Sequence, residues 1–263
     1  MSSHPVELER RSDGLALLWL NRPERKNAFD EAMIAALTEG FREVAADRSI
    51  RLLALRGRGG TFCAGGDLAW MRRQGEASPE ANAEDAYGLA AMLKALYEVP
   101  QLSVALVEGA AMGGGAGLAA AADVAVAVAG ASFRFSEVRL GLTPATISPY
   151  VIEAIGPRMA RALFATAEGF DAAYAEQIGL VQYTVADAAG LEAQLEALHT
   201  LALAAAPGAV ADAKALVRDV AGQPITEALL RETAARIAAR RADPEGKEGL
   251  AAFLEKRKPG WAG

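Results

Sequence analysis

Cysteine is almost absent from this sequence. Cys63 is the single one in 263 residues, which excludes an intramolecular disulfide and any zinc site built on paired cysteines. A reducing, cytoplasmic setting is the expectation. Histidine is nearly as scarce. His4 lies in a polar segment and His199 in a helical run, and neither has acidic or histidine neighbours at metal-ligand spacing, so no metal site is expected. There is no excess of positive charge: the formal net charge is −6, which gives nucleic-acid binding no electrostatic support. The first fourteen residues are polar and charged with no apolar run, so no secretory leader is expected. The stretch 109–131 carries one charge, Asp123. It is rich in Gly and Ala, poor in Leu and broken by three adjacent glycines, so it reads as a buried turn–helix–strand rather than a membrane span. A fixed-period repeat is also missing.

What is present is an ordinary globular composition, 52% hydrophobic and 23% charged, on a chain long enough to bury a sizeable core. Residues 15–20 form an apolar strand closed by Asn21-Arg22-Pro23. Asp30 is a candidate N-cap, after which Met33, Leu37, Phe41 and Val44 recur at helical spacing. Residues 50–55 read as the next strand, ended by Gly57, Gly59 and Gly60. A helix starting near Asp67 carries Leu68, Trp70 and Met71 and breaks at Gly75. Residues 75–86 read as a polar, mobile segment, and 86–97 as a helix. Strands follow at 103–107 and 124–128 around a small-residue helix at 116–122, and Phe133 and Phe135 alternate as in a further strand. Alternation of strands and helices to about residue 140 argues for an α/β fold with parallel pairing. Beyond residue 146 the pattern is almost wholly helical, with Asp171, Asp187 and the run Asp243-Pro244-Glu245 as helix starts.

Two strand–turn–helix corners stand out: Phe62-Cys63-Ala64-Gly65-Gly66-Asp67 and Met112-Gly113-Gly114-Gly115. Glycines at the start of a helix bring bare N–H groups close to a ligand and favour negative charge. Neither corner has the G-x-G-x-x-G spacing of a dinucleotide site: from Gly113 the third position is Leu118, and from Gly57 it is Phe62. Gly-Lys-Ser/Thr and Gly-x-Ser-x-Gly are missing too. What remains is a pair of backbone donors aimed at a developing oxyanion, such as a thioester enolate.

Three blocks, Phe62–Asp67, Glu108-Gly109-Ala110-Ala111-Met112-Gly113-Gly114-Gly115 and Glu137-Val138-Arg139-Leu140-Gly141-Leu142-Thr143-Pro144, together with Asn21-Arg22-Pro23-x-x-x-Asn27-Ala28, resemble the signature segments of the enoyl-CoA hydratase/isomerase (crotonase) family. The resemblance spans nearly the whole chain. It implies a spiral core of repeated β-β-α units over residues 1–200 and a C-terminal helical region over 201–263 that makes trimer contacts. The implied partner is an acyl-CoA thioester, with no separate cofactor and with neither nucleic acid nor membrane. The implied assembly is a homo-trimer or a dimer of trimers.

Carried onto this sequence, the resemblance implies Ala64 and Gly114 N–H as the oxyanion donors and Glu137 as the acid–base group. From the residues alone, a surface ion pair of Glu137 with Arg134 or Arg139 stands beside that role. CoA contacts are implied at Arg25, Lys26, Ala28, Asp67, Leu68, Phe253 and Lys256, the last two from a neighbouring subunit. For Lys256, compensation of a helix dipole is an equal reading. Hydratases of the family carry a second glutamate two residues past the glycine triplet; here that residue is Gly117. One glutamate serves either a syn hydration or a Δ3,Δ2-isomerisation, and a binding protein without catalysis is the remaining alternative. Gly66–Arg73 and Leu140–Tyr150 resemble the branched glutaconyl-CoA hydratases, which implies a distal carboxylate met by Arg72 or Arg73. Solvated arginines on an exposed helix face are the competing reading.

Overall fold

The computed structural model describes residues 4–262. Its centre is a six-stranded sheet in the order β1-β2-β3-β4-β6-β9. These strands are β1 (Val6–Arg10), β2 (Leu15–Leu20), β3 (Leu52–Gly57), β4 (Leu102–Val107), β6 (Val124–Val128) and β9 (Tyr183–Val185). β1 and β2 pair antiparallel and every other neighbour is parallel. The interior strands are apolar along nearly their whole length, as covering on both faces requires: all six residues of β3 are buried, and so are five of six in β2. α1 (Glu31–Ala46) packs on β1 and β2 through Met33, Leu37, Phe41 and Val44, and α7 (Ala188–Ala204) packs across β3, β4, β6 and β9.

A second, three-stranded sheet holds β5 (Ala110–Met112), β7 (Ser132–Arg134) and β8 (Phe170–Asp171). It explains the β-β-α repeat. The chain leaves the large sheet at β3, β4 or β6 and next contributes a short extended piece to the small layer. Cys63 bridges Ala111 of β5, and Ala111 pairs with Phe133 of β7, so three successive turns stack side by side. The first two turns then enter helices α2 (Leu68–Gly75) and α4 (Gly114–Ala121), which places both glycine corners at the same level of the spiral. The stretch 109–131 divides into β5, α4 and β6, as its composition indicates.

Several expectations need correction. Residues 75–86 are not an open loop: α3 (Pro79–Tyr97) begins there, with Ser78 Oγ accepting from Ala81 N–H at 3.2 Å and Pro79 in the first turn. The polar N-terminal segment supplies β1, where Val6 turns inward and Glu7 outward. Phe135 is buried but lies beyond the end of β7. The nominally helical second half contributes β8 and β9. The division at residue 200 falls inside α7, and the chain turns at Ala205–Ala206 before α8 (Pro207–Val220), α9 (Glu227–Ala242) and α10 (Pro244–Leu254). The cations Lys256–Lys258 lie past the end of α10, with Lys256 itself left-handed (φ 56°) and Arg257 paired to Glu248.

Candidate active site

Both glycine corners open into one cleft of about 850 Å³, lined by the turn 64–67, Gly113, Gly114, Ser136, Glu137, and parts of α2, α3 and the loop 140–147. The second corner is glycine-rich for three separate reasons. Gly113 adopts φ 48°, ψ −117°, which disfavours a side chain, and a Cβ there would meet Glu137 Oε1 at 3.0 Å. A Cβ on Gly114 would lie 2.7 Å from the Phe29 ring, and one on Gly115 would lie 2.8 Å from Cys63 Cβ. Gly113 N–H is spent on Arg134 C=O at 2.8 Å. Gly114 is the first residue of α4, so its N–H has no partner within the helix and points out with the positive end of the helix dipole.

The first corner overturns the assignment to Ala64. Hydrogen bonds alternate along this extended segment. Cys63 N–H donates to Ala110 C=O at 2.9 Å, Ala64 N–H to Lys26 C=O at 3.0 Å, and Asp67 N–H to Phe29 C=O at 2.7 Å. Phe29 pairs with Gly66 as an isolated parallel bridge, bonding the residues on either side of it. Gly66 N–H is therefore turned away from Phe29, and among the described residues no protein acceptor takes it. The unspent donor of this turn is Gly66, not Ala64, and with Gly114 it gives two N–H groups on one cleft.

The loop that consumes Ala64 is held by Asn27, fully buried and left-handed (φ 56°). Its Oδ1 accepts from Arg22 N–H at 2.9 Å, and its Nδ2 donates to Arg58 C=O at 2.9 Å and Thr61 C=O at 2.6 Å. The sequence signals Asn27 only as part of a motif; its work is to dock residues 22–29 against the first corner.

Three carboxylates among the described residues line the cleft. Asp67 caps α2, accepting from Ala69 N–H at 2.9 Å and Trp70 N–H at 3.2 Å. Burial pushes its pKa up, but those two bonds and Arg22 outweigh this and hold it below the usual carboxylate range. Asp67 is thus fixed as an anionic cap on the cleft wall. Asp85 accepts from Trp70 Nε1 at 3.1 Å. Glu137 alone has an oxygen, Oε2, that is buried without a partner. Burial raises its pKa, offset only in part by its own backbone N–H. Among the described residues it makes no ion pair with Arg134 or Arg139. Cys63 is no competing nucleophile: burial pushes its thiol up to about 12.

Of the remaining expected contacts, Arg25, Ala28 and Leu68 line the cleft. Lys26 is exposed and contributes its carbonyl to Ala64. Phe253 is 81% exposed on α10, and neither it nor Lys256 is part of the cleft wall of this chain. Arg73 is bound to Glu31 through both carboxylate oxygens, at 2.9 and 3.0 Å, and Arg72 is exposed outside the wall. Two unspent N–H donors on one cleft with a carboxyl of raised pKa, one oxygen of which has no partner, suit a reaction that develops an oxyanion while a proton moves at a neighbouring carbon.

Comparison with known proteins agrees with this chemistry. Residues 10–263 match the family described as Enoyl-CoA hydratase/isomerase. An enoyl-CoA hydratase from Shewanella pealeana is similar in structure, with a TM-score of 0.95 and 38% identity over 99% of this chain and 97% of that one. Pseudomonas aeruginosa AtuE gives a TM-score of 0.94 and 42% identity over 98% of this chain and all of the other. The 1,2-epoxyphenylacetyl-CoA isomerase of Escherichia coli is 32% identical over 95% of each chain. The chain belongs to the enoyl-CoA hydratase/isomerase family, with the family's fold of repeated strand–strand–helix turns.

Proposed function

We propose that the protein is a hydro-lyase that adds water across the 2,3 double bond of an enoyl-CoA thioester. The thioester carbonyl lies between Gly66 and Gly114 N–H, and Glu137 handles the proton. The observation that carries this reading is the partnerless Glu137 carboxyl on the same cleft as the two unspent donors. Donors preplaced where enolate charge develops stabilise the transition state more than the ground state. Arg25, Ala28 and Leu68 line the path of the CoA moiety. Phe253 and Lys256 reach a CoA group only from another copy, in keeping with a homo-trimer.

Turnover of an enoyl-CoA in heavy-oxygen water tests the reading by mass spectrometry. A hydrated product carrying the heavy oxygen is expected, and Glu137→Gln is expected to lower the rate by about 10²–10⁴-fold. A turnover that survives Glu137→Gln overturns it.

A second reading, double-bond isomerisation by one glutamate, is favoured by the filled space at Gly117, where Ile147 excludes a second acid. The Escherichia coli relative is itself named an isomerase. Unsaturation that moves without incorporation of heavy oxygen marks this reading.

For the acyl group we propose an apolar chain, from the wall of Trp70, Met71, Leu89, Leu142 and Ile147. Arg25 is the only cation among the described lining residues, so the distal carboxylate of a glutaconyl group finds no partner in Arg72 or Arg73. Rates with plain, branched and carboxylated enoyl-CoA esters decide the class.

A further inference from the structure

A water adding to an alkene has two O–H bonds to manage. One proton leaves; the other stays and needs an acceptor, or the water is held by a single hydrogen bond and its attack is poorly aimed. Glu137 accounts for the first. Among the described residues no second carboxylate stands ready for the other: Ile147 fills the space beside Gly117, Asp67 caps α2, and Asp85 holds Trp70.

The wall beside Glu137 offers one further polar group. The three heavy atoms nearest the point where a Gly113 Cβ would sit are Glu137 Oε1 at 3.0 Å, Glu137 Cδ at 3.5 Å and Ser136 Oγ at 3.7 Å. Ser136 and Glu137 therefore close on the same side of the corner whose next residue, Gly114, supplies an oxyanion donor. Ser136 is half-buried and lines the cleft. Its hydroxyl does not cap the short 3₁₀ turn Glu137–Leu140 that follows it, and among the described residues it bonds no protein group. Thr143 and Thr146 also line the cleft, but neither approaches this point as closely.

We propose that Ser136 Oγ is the second holder of the attacking water, accepting the O–H that is retained while Glu137 accepts the one that is lost. The inference rests on the hydratase reading above. The Glu137 carboxylate takes a proton from water as the water oxygen bonds to C3. The C2=C3 electron pair moves into the thioester as an enolate, held by Gly66 and Gly114 N–H. Neutral Glu137 then gives the same proton to C2 as the enolate collapses, and the carboxylate is restored. Ser136 ends as it began, a neutral hydroxyl that has aimed the water.

The test separates water holding from proton transfer in the full-length protein. Hydration of 2-butenoyl-CoA and 3-methylglutaconyl-CoA is followed in heavy-oxygen water. Exchange of the C2 hydrogens of butanoyl-CoA is followed in heavy water; it needs Glu137 and the oxyanion donors but adds no water. Ser136→Ala is expected to lower the hydration kcat about tenfold, the worth of one hydrogen bond in the transition state. Exchange is expected to stay within about twofold of wild type, and Ser136→Thr, which keeps a hydroxyl, to retain most of the hydration rate. Equal losses in hydration and exchange, or no loss in hydration, overturn the proposal. Should Ser136→Ala melt early, Ser136→Gly carries the same comparison. A wild type that exchanges C2 hydrogens through Glu137 yet never incorporates heavy oxygen defeats the hydratase reading itself, and this proposal falls with it. That outcome is distinct from a hydratase indifferent to Ser136.

Discussion

Ile147 Cβ lies 2.8 Å from the point a Cβ on Gly117 would occupy, and its Cγ2 is closer still. Both residues are buried, Gly117 on α4 and Ile147 just before α5 (Ser148–Thr166), and Ile147 also forms part of the cleft wall. No side chain fits at position 117 while Ile147 keeps its place. A carboxylate is excluded there by packing, and the proton chemistry falls to Glu137.

The pair predicts a non-additive response. Gly117→Ala is expected to cost about 1–3 kcal/mol through overpacking, despite the better helix propensity of alanine. Ile147→Ala alone is expected to cost about 2–5 kcal/mol through the cavity it leaves. The double variant should be more stable than the sum of the two losses, by at least about 1 kcal/mol. Urea unfolding of the four proteins measures this, and additive losses would contradict the contact.

The two oxyanion donors can be told apart from Ala64 by amide exchange. Ala64 N–H is already bonded to Lys26 C=O, so it should be protected in the free protein and change little on binding. Gly66 and Gly114 N–H should exchange quickly when free, then slow when a 3-oxoacyl-CoA presents its enolate oxygen. Protection appearing at Ala64 rather than Gly66 would restore the assignment made from the sequence.

That assignment shows where local reading stops. The strands are legible as contiguous apolar runs, whereas Glu137 and Gly114 are singled out only by the resemblance of their blocks to the family's signature segments. Choosing Gly66 over Ala64 requires the parity of hydrogen bonding along residues 63–67, which is set by where Lys26 and Phe29 dock, well upstream in the chain. The resemblance marks Gly117 as lacking the family's second acid, but not Ile147 as the physical cause, since only tertiary packing brings the two together. α3 is different: Ser78-Pro79-Glu80 has the same cap, proline and first-turn acid as Asp243-Pro244-Glu245, and its polar, alanine-rich start concealed a signal that was present.

Glu137 makes stability depend on pH in a defined direction. Its folded pKa is raised by burial, so between the ordinary glutamate value of about 4.3 and the folded value the native state holds a proton that the unfolded state has lost. This contribution is fully present below the unfolded pKa and is lost as pH rises through the folded one. Relative to wild type, Glu137→Gln should match in stability near pH 4, gain as pH rises, and level off above the folded pKa. Chemical denaturation across that range checks it. A gain that shrinks with rising pH would mean that Glu137 is stabilised as an anion, and the acid–base role would lose its basis.

Asn27 couples the stability of the first corner to its geometry. Removing its side chain breaks three hydrogen bonds and leaves the part-buried Arg58 and Thr61 carbonyls without this partner, for an expected loss of about 2–4 kcal/mol. The left-handed backbone (φ 56°) adds a second effect: Asn27→Ala should be the less stable variant by about 1 kcal/mol compared with Asn27→Gly, because alanine is strained there and glycine is not. Both variants loosen the segment whose Phe29 fixes the direction of Gly66 N–H, so kcat should fall in both while the thioester KM changes less. Equal stabilities for the two variants would place the cost in the hydrogen bonds alone. A kcat unchanged in both would show that the Gly66 donor holds its position without Asn27, and that the loop serves stability rather than catalysis.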